Sequence, residues 1–298
     1  MSDGCLFIIC CRIMERGLIV MNIPFQIQVA QDRYIRGDVF PSIHQSQGIL
    51  IICHGYKGFK DWGMFPYVAQ KFSEHYDVIT FNFSHNGVGN ELFDFTELEK
   101  FAVNTYSREL EDLDILIGSI RQGKIPINHE ISLRSHPLFL LGHSRGAGVC
   151  LVYSFDYPEF VQGVISWNGV TDLDLFSDEE KSEMKSKGRA YVYNGRTKQH
   201  MPLDLVILED IEEHEERYHI LERIKLATTP IVLIQGSEDF QKLRKGSTLL
   251  LQANPSIPWI QIPEGNHTFK AVHPFQGTTE PLEEAIIQTM KCLEAWTS

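Results

Sequence analysis

Residues 139–148, FLLGHSRGAG, set Ser144 between Gly142 and Gly146 where an apolar run gives way to helical spacing. Glycines two positions before and after a serine remove side chains that would collide where a strand turns sharply into a helix, so the hydroxyl stands up at the corner. Ser144 then opens the helix. The backbone N–H of Arg145 has no intrahelical acceptor there and can point at negative charge developing beside the serine. Ala147 and Gly148 let the helix lie close on the sheet. The spacing alone is a weak signal; the strand before it and the helix after it make it a candidate nucleophile.

A serine hydroxyl attacks only when a base takes its proton, so an imidazole must reach it and a carboxylate should orient that imidazole. Twelve histidines compete. His143 adjoins the serine but is expected to point elsewhere from the corner, and His54 ends an earlier strand and is expected to shape a turn. His267, in PEGNHTF, follows the last strand on a polar loop and is the candidate base. His273, in AVHPF with its chain fixed by the following proline, is the alternative. For the acid, IVLIQGSEDF leaves a strand with Glu238 and Asp239 side by side. Asp239 is the first choice, and it could equally serve as the N-cap of the helix that starts at Gln241.

Acyl transfer also needs two donors for the oxyanion, and Arg145 supplies one. The other is expected from CHGYKGF, at the end of the strand 49–53: glycines at 55 and 58 allow close backbone approach, and the N–H of Tyr56 would face the same point as that of Arg145.

These residues must be gathered by the elements that carry them. Residues 25–30 and 33–40 alternate apolar and polar side chains about a turn-prone QDR, which predicts an antiparallel hairpin. Six short apolar runs follow, at 48–55, 77–84, 137–144, 163–169, 230–236 and 258–265, each ending in Gly, Ser or Asn, as suits strands buried on both faces. Helical spacing falls at 64–75, 106–121, 145–156, 241–252 and 281–296. Strands alternating with helices predict a mostly parallel sheet covered on both sides, with polar groups collected at the carboxyl ends of the strands. Residues 171–226 break the alternation and read as a charged cap over that edge. Within it, residues 188–199 carry Tyr191, Tyr193, Asn194 and Arg196, which could line an acyl pocket, bind a carboxylate or simply decorate the surface. The acidic run 209–216 reads as a solvated helix face.

HGY at 54–56, GHSRG at 142–146, GSED at 236–239 and GNHTF at 265–269, in the order serine, acid, histidine, resemble the α/β-hydrolase superfamily over nearly all of residues 25–298. HGYKGFKDW, FNFSHNG and NHTF look most like its dienelactone-hydrolase-like and cinnamoyl or feruloyl esterase branch, related to the prolyl-oligopeptidase group of serine peptidases. The resemblance implies an eight-stranded α/β-hydrolase fold with helices on both faces, a Ser144 nucleophile, a His267 base, an Asp239 acid and an oxyanion hole from the backbones of Tyr56 and Arg145. It also implies substrate contacts from an insertion after the sixth strand, although residues 171–226 reproduce no recognisable aromatic-acid pocket. The function expected is hydrolysis of small or medium carboxylic esters through an acyl-enzyme. The alternatives are a peptidase for short peptides and a non-catalytic ligand-binding homologue.

Composition sets the outer bounds. A formal charge of -12 argues against nucleic-acid partners, which require clustered Lys and Arg to replace counterions. No run of eighteen apolar residues suggests a membrane span, and no metal-ligand spacing, nucleotide fingerprint or P-loop calls for a cofactor. The six cysteines, Cys5, Cys10, Cys11, Cys53, Cys150 and Cys292, form no CxxC pair and read as reduced thiols of a cytoplasmic protein. Oligomeric state has no signature in the sequence. Residues 1–20 are interrupted by Arg12, Glu15 and Arg16 and lack a small-residue cleavage site. They are read as an extension ahead of a domain that runs from 21 to 298. Mass spectrometry of the natively expressed protein distinguishes a start at Met1 from one at Met21.

Overall fold

The computed structural model describes residues 22–90, 94–127 and 136–297. The extension 1–20, with Cys5, Cys10, Cys11 and the start at Met21, lies outside them. Among the described residues ten strands are formed: β1 (Ile23–Ala30), β2 (Arg33–Phe40), β3 (Ile49–Cys53), β4 (Asp77–Asn82), β5 (Leu138–His143), β6 (Gly163–Trp167), β7 (Arg189–Asn194), β8 (Gln199–Asp204), β9 (Ile231–Gly236) and β10 (Trp259–Ile262). Eight make one sheet in the order β1-β2-β4-β3-β5-β6-β9-β10. The β1–β2 and β2–β4 pairs are antiparallel and every other pair is parallel.

The main helices are α1 (Phe65–Phe72), α2 (Leu98–Ala102), α3 (Tyr106–Arg121), α4 (Arg145–Asp156), α5 (Asp178–Lys187), α6 (Val206–Glu213), α7 (Glu215–Tyr218), α8 (Ile220–Arg223), α9 (Gln241–Ala253) and α10 (Glu280–Thr297). Successive side chains of a strand point to opposite faces, so each apolar run feeds two cores. Ile49, Ile51 and Cys53 of β3 pack with α3 and α4 on one face, while Leu50 and Ile52 pack with α1 and α10 on the other.

Five strands stop short of the apolar runs that predict them: β3 at Cys53, β4 at Asn82, β5 at His143, β6 at Trp167 and β10 at Ile262, because the last residues of each run leave the sheet at its carboxyl edge. The register then brings those ends together: Cys53 pairs with Gly142, His143 with Trp167 and Gly236 with Ile262.

The stretch between β6 and β9 holds α5, the two-stranded β7–β8 sheet and three short helices. Its strands were not anticipated, since charge and exposed tyrosines obscure their alternation. Phe176, Met184, Ala190, Met201, Leu203, Ile207 and Leu208 from this stretch form a third apolar cluster with Phe59, Val88, Phe95 and Phe101 of the loops above the sheet. A capping box of Ser177 and Glu180 starts α5. The acidic run departs from a uniformly solvated face at one position. Asp210 is buried and its Oδ2 accepts the N–H groups of Tyr106 and Ser107 at 3.0 and 3.2 Å, satisfying two orphan donors at the start of α3. Among the described residues no helix is long and apolar enough to cross a membrane.

Candidate active site

Ser144 ends β5 and begins α4 with φ 55° and ψ -120°, a left-handed conformation that a side chain adopts only under constraint. The corner is held from both sides. Ser144 N–H donates to Trp167 O at 2.9 Å, extending the β5–β6 ladder, and Ser144 O accepts from Ala147 and Val170 at 3.1 and 3.2 Å. A Cβ on Gly142 would lie 2.3 Å from Ala147 Cα, and one on Gly146 would lie 2.3 Å from Cys53 O. Both glycines are therefore demanded by close approach of backbone. Gly148 faces Val170 and Leu173, so it seats the loop after β6 on α4, where the sequence suggested contact with the sheet itself.

His267 Nε2 lies 3.1 Å from Ser144 Oγ, and its Nδ1 lies 2.7 Å from Asp239 Oδ1. These partners place the proton on Nδ1 and leave Nε2 to accept from the serine hydroxyl. Asp239 is buried; Oδ1 also accepts Phe240 N–H at 2.8 Å and Oδ2 accepts Gln235 Nε2 at 2.8 Å. Glu238 is exposed beside it. The N-cap of α9 is Phe240, so Asp239 is not the cap its sequence position allowed.

The other histidines occupy structural places. His143 is buried and its Nε2–H donates to His267 O at 2.7 Å, while His54 Nδ1–H donates to Gly55 O at 3.0 Å. Burial pushes His143 down to about 3, with the His267 ring adding to the effect, and His54 down to about 4. Both are neutral struts at ordinary pH. His273 Nδ1 accepts Gly63 N–H at 2.9 Å and its ring stacks on Trp62.

Asn168 ties the three strand ends together. Its Nδ2 donates to His267 O at 3.0 Å and its Oδ1 accepts Gly236 N–H at 2.8 Å, linking the end of β6 to the acid-bearing turn and the histidine loop. Sequence reasoning missed it, as it missed Gln235. The available signal was an Asn ending a buried apolar run, which read only as a turn residue.

The loop after β3 lies against the corner: a Cβ on Gly55 would come 3.0 Å from Ser144 Cβ. Gly58 N–H closes the turn onto Gly55 O at 3.0 Å, so the second glycine serves the loop's own tight turn. Among the described residues the N–H groups of Tyr56 and Arg145 have no hydrogen-bond partner. The Tyr56 ring stacks on Phe101 at 5.7 Å, and its buried hydroxyl is also unpartnered.

The Arg145 side chain turns inward. Its Nε donates to Glu109 Oε2 at 3.0 Å, an Nη donates to Asn104 O at 3.2 Å, and Asn104 Nδ2 donates to the other Glu109 oxygen at 2.7 Å. Burial alone would lower the guanidinium pKa; Glu109, together with the Tyr106 and Tyr56 hydroxyls, outweighs this and raises it. Neither Glu109 nor Asn104 was foreseen, because nothing in their local sequence marks them as partners of a helix that starts some forty residues later.

The four cap residues scatter. Tyr191 and Tyr193 are 54% and 52% exposed. Asn194 is buried and its Oδ1 accepts Arg196 N–H at 3.2 Å. Arg196 lies over the Phe59 ring. Phe240, 62% exposed, stands 4.8 Å ring to ring from His267. Among the described residues no cluster of three His, Cys, Asp or Glu side chains is set to hold a metal.

The sheet order and this strand-to-helix corner define an α/β hydrolase. Residues 44–203 match the family described as serine aminopeptidase, S33, and the chain belongs to it. Similar solved structures include a soluble variant of monoglyceride lipase from Saccharomyces cerevisiae in complex with a substrate analogue (13% identity, 95% of this chain and 98% of that one, TM-score 0.68). Est1E from Butyrivibrio proteoclasticus is another (13%, 91% and 99%, 0.63), and dienelactone hydrolase from Anabaena variabilis a third (14%, 93% and 96%, 0.56). At these identities the likeness is one of fold. No curated protein sequence matches the chain.

Two measurements test the supports of the site. Glu109→Ala leaves the buried Arg145 charge uncompensated and is expected to cost about 3–5 kcal/mol in urea unfolding, whereas Glu109→Leu with Arg145→Met should lose much less. His143 and His54 titrate near about 6.5 when unfolded but at about 3 and about 4 when folded. Below pH 6.5 the unfolded chain binds protons that the folded chain refuses, so stability falls as pH drops toward those folded values. Each group contributes a slope of up to about 1.4 kcal/mol per pH unit. His143→Gln is expected to flatten the fall in urea midpoint between pH 6.5 and 4.

Proposed function

We propose that the protein is a serine hydrolase that cleaves carboxylic esters of small or medium size through an acyl-enzyme. The observation that carries this reading is the unbroken hydrogen-bonded chain from Ser144 through His267 to Asp239. As Ser144 Oγ attacks the ester carbonyl, His267 Nε2 takes its proton and the adjoining carboxylate stabilises the imidazolium. The carbonyl oxygen becomes an oxyanion, received by the free backbone N–H groups of Tyr56 and Arg145, which need no reorganisation because strand and helix already fix them. His267 returns the proton to the departing alkoxide, and the alcohol leaves. Water then attacks the acyl-serine by the same route, with His267 again acting as base, and releases the acid.

The ester reading draws support from structural neighbours, among them a monoglyceride lipase and Est1E, the latter solved with ferulic acid bound. A second reading, hydrolysis of short peptides, is favoured by the family match to serine aminopeptidase. The two share every step at Ser144 and differ in the leaving group, an amine requiring firmer protonation by His267 than an alcohol.

Ser144→Ala is expected to lose roughly 10⁴-fold or more of kcat on p-nitrophenyl acetate, and a fluorophosphonate probe should label the parent at Ser144 and leave the variant unlabelled. A variant as active as the parent would remove the serine from the reaction. Parallel assays on acyl esters and aminoacyl anilides separate esterase from peptidase.

A further inference from the structure

Two rings flank the imidazole of His267. On its inner side lies the buried His143, 4.9 Å away between centroids, and on its outer side the exposed Phe240, 4.8 Å away and tilted by 37°. The two ring nitrogens are engaged elsewhere, Nδ1 with Asp239 and Nε2 with Ser144. A molecule that comes to the imidazole from solvent therefore meets Phe240.

Backbone contacts fix the place of that ring. Phe240 N–H donates at 2.8 Å to Asp239 Oδ1, the same oxygen that faces His267, and Phe240 O accepts from Leu243 and Arg244 at 3.0 and 3.1 Å as α9 begins. Farther along α9, Gly246 lies against Thr171 at a distance that leaves no room for a Cβ. The Phe240 side chain nevertheless joins none of the three apolar clusters, whereas Leu243, one turn on, packs against the first. A lone exposed apolar residue is ordinary at a protein surface. This one is anchored at both its amide and its carbonyl and laid beside the candidate base, with its outer surface free for a ligand.

The site also sets the direction of each substituent on the reacting carbon. The oxyanion faces the N–H groups of Tyr56 and Arg145, and the leaving oxygen must come within about 3 Å of His267 Nε2 to receive its proton. The acyl chain takes the direction that remains. Carbon atoms attached to the leaving oxygen thus lie beside the imidazole on its open side, toward Phe240. An aromatic alcohol would bury apolar area there and set its ring offset or edge-on against Phe240. Methanol is too short to do so.

We propose that Phe240 is the wall of the alcohol subsite, so that the preferred substrates are esters of aromatic or bulky apolar alcohols, such as benzyl esters. This rests on Ser144 and His267 acting as nucleophile and base. As the bond from Ser144 Oγ to the carbonyl carbon forms and the bond from that carbon to the alcohol oxygen breaks, the proton taken from the serine passes through His267 to that oxygen. The alcohol then departs across the face of Phe240, and water enters by the same side for deacylation.

The test compares kcat/KM for benzyl acetate and methyl acetate, which share an acyl group and whose alcohols are similarly acidic. The parent protein is expected to favour the benzyl ester roughly fivefold or more. Phe240→Ala is expected to cut that ratio roughly threefold or more, and Phe240→Tyr, which retains a ring, to keep it. The ratio of p-nitrophenyl butyrate to p-nitrophenyl acetate reads the acyl side and is expected to stay within about twofold in both variants. Disturbed positioning of His267 alone would slow both acetates together and leave the benzyl-to-methyl ratio as it was. Should Phe240→Ala not fold, Phe240→Gln is expected to lower the ratio in the same way. A parent preference below about fivefold, a benzyl-to-methyl ratio untouched in the folded variant, or a change in the butyrate-to-acetate ratio instead would overturn the proposal. Absence of turnover of both acetates overturns it as well, and a fluorophosphonate then tells which reading has failed. A labelled Ser144 keeps the nucleophile and removes the alcohol subsite alone; an unlabelled Ser144 removes both.

Discussion

A serine held at positive φ between a strand and a helix is the constraint on which the rest of the site depends. A backbone in that region costs on the order of 1–3 kcal/mol unless its surroundings determine it, and here they do. The ladder bond from Ser144 to Trp167 continues the sheet through the corner, the carbonyl of Ser144 receives two N–H groups, and the neighbouring backbones close onto Gly142 and Gly146. Any side chain at those glycines would force β3 or α4 away. The position of Ser144 is thus a property of sheet packing.

Charge is handled differently on the two sides of this corner. Beneath it, His143 and His54 are kept uncharged by burial, Asp239 is bonded to His267, Phe240 N–H and Gln235, and Arg145 is paired with Glu109. Rigid, satisfied groups of this kind fix side-chain geometry to within the tolerance that proton transfer demands. Above it, toward the β7–β8 hairpin, Lys57 Nζ donates to a backbone carbonyl and Arg196 lies over Phe59 and Phe95, neither with an ion pair among the described residues.

The apolar cluster joining Phe59, Phe95 and Phe101 to Met184, Met201 and Leu203 fastens the hairpin and α5 to the loops over the sheet. It sets the distance between the Tyr56 loop and the hairpin. The fold is common to lipases, esterases and peptidases, and the corner and its partners are indifferent to what lies beyond the scissile bond. Differences in substrate among such proteins must therefore arise in segments like this one.

Local chemistry determined much of the molecule directly from its sequence. An alternating hairpin, six continuous apolar runs, glycines flanking Ser144 and turn residues at strand ends sufficed to place eight strands and the corner, because each depends on residues adjacent in the chain, while His267 and Asp239 stood as candidates beside His273 and Glu238. The tertiary structure alone decided the groups that act across the chain. Glu109 reaches Arg145 from another helix, Asn168 joins three strand ends, Asp210 of α6 caps α3, and the β7–β8 strands take shape only by pairing with each other and packing on Phe95. Side chains chosen by spatial proximity leave no periodic mark in sequence, since the physics that selects them, desolvation and the hydrogen bond, operates on distances that exist only once the sheet has assembled.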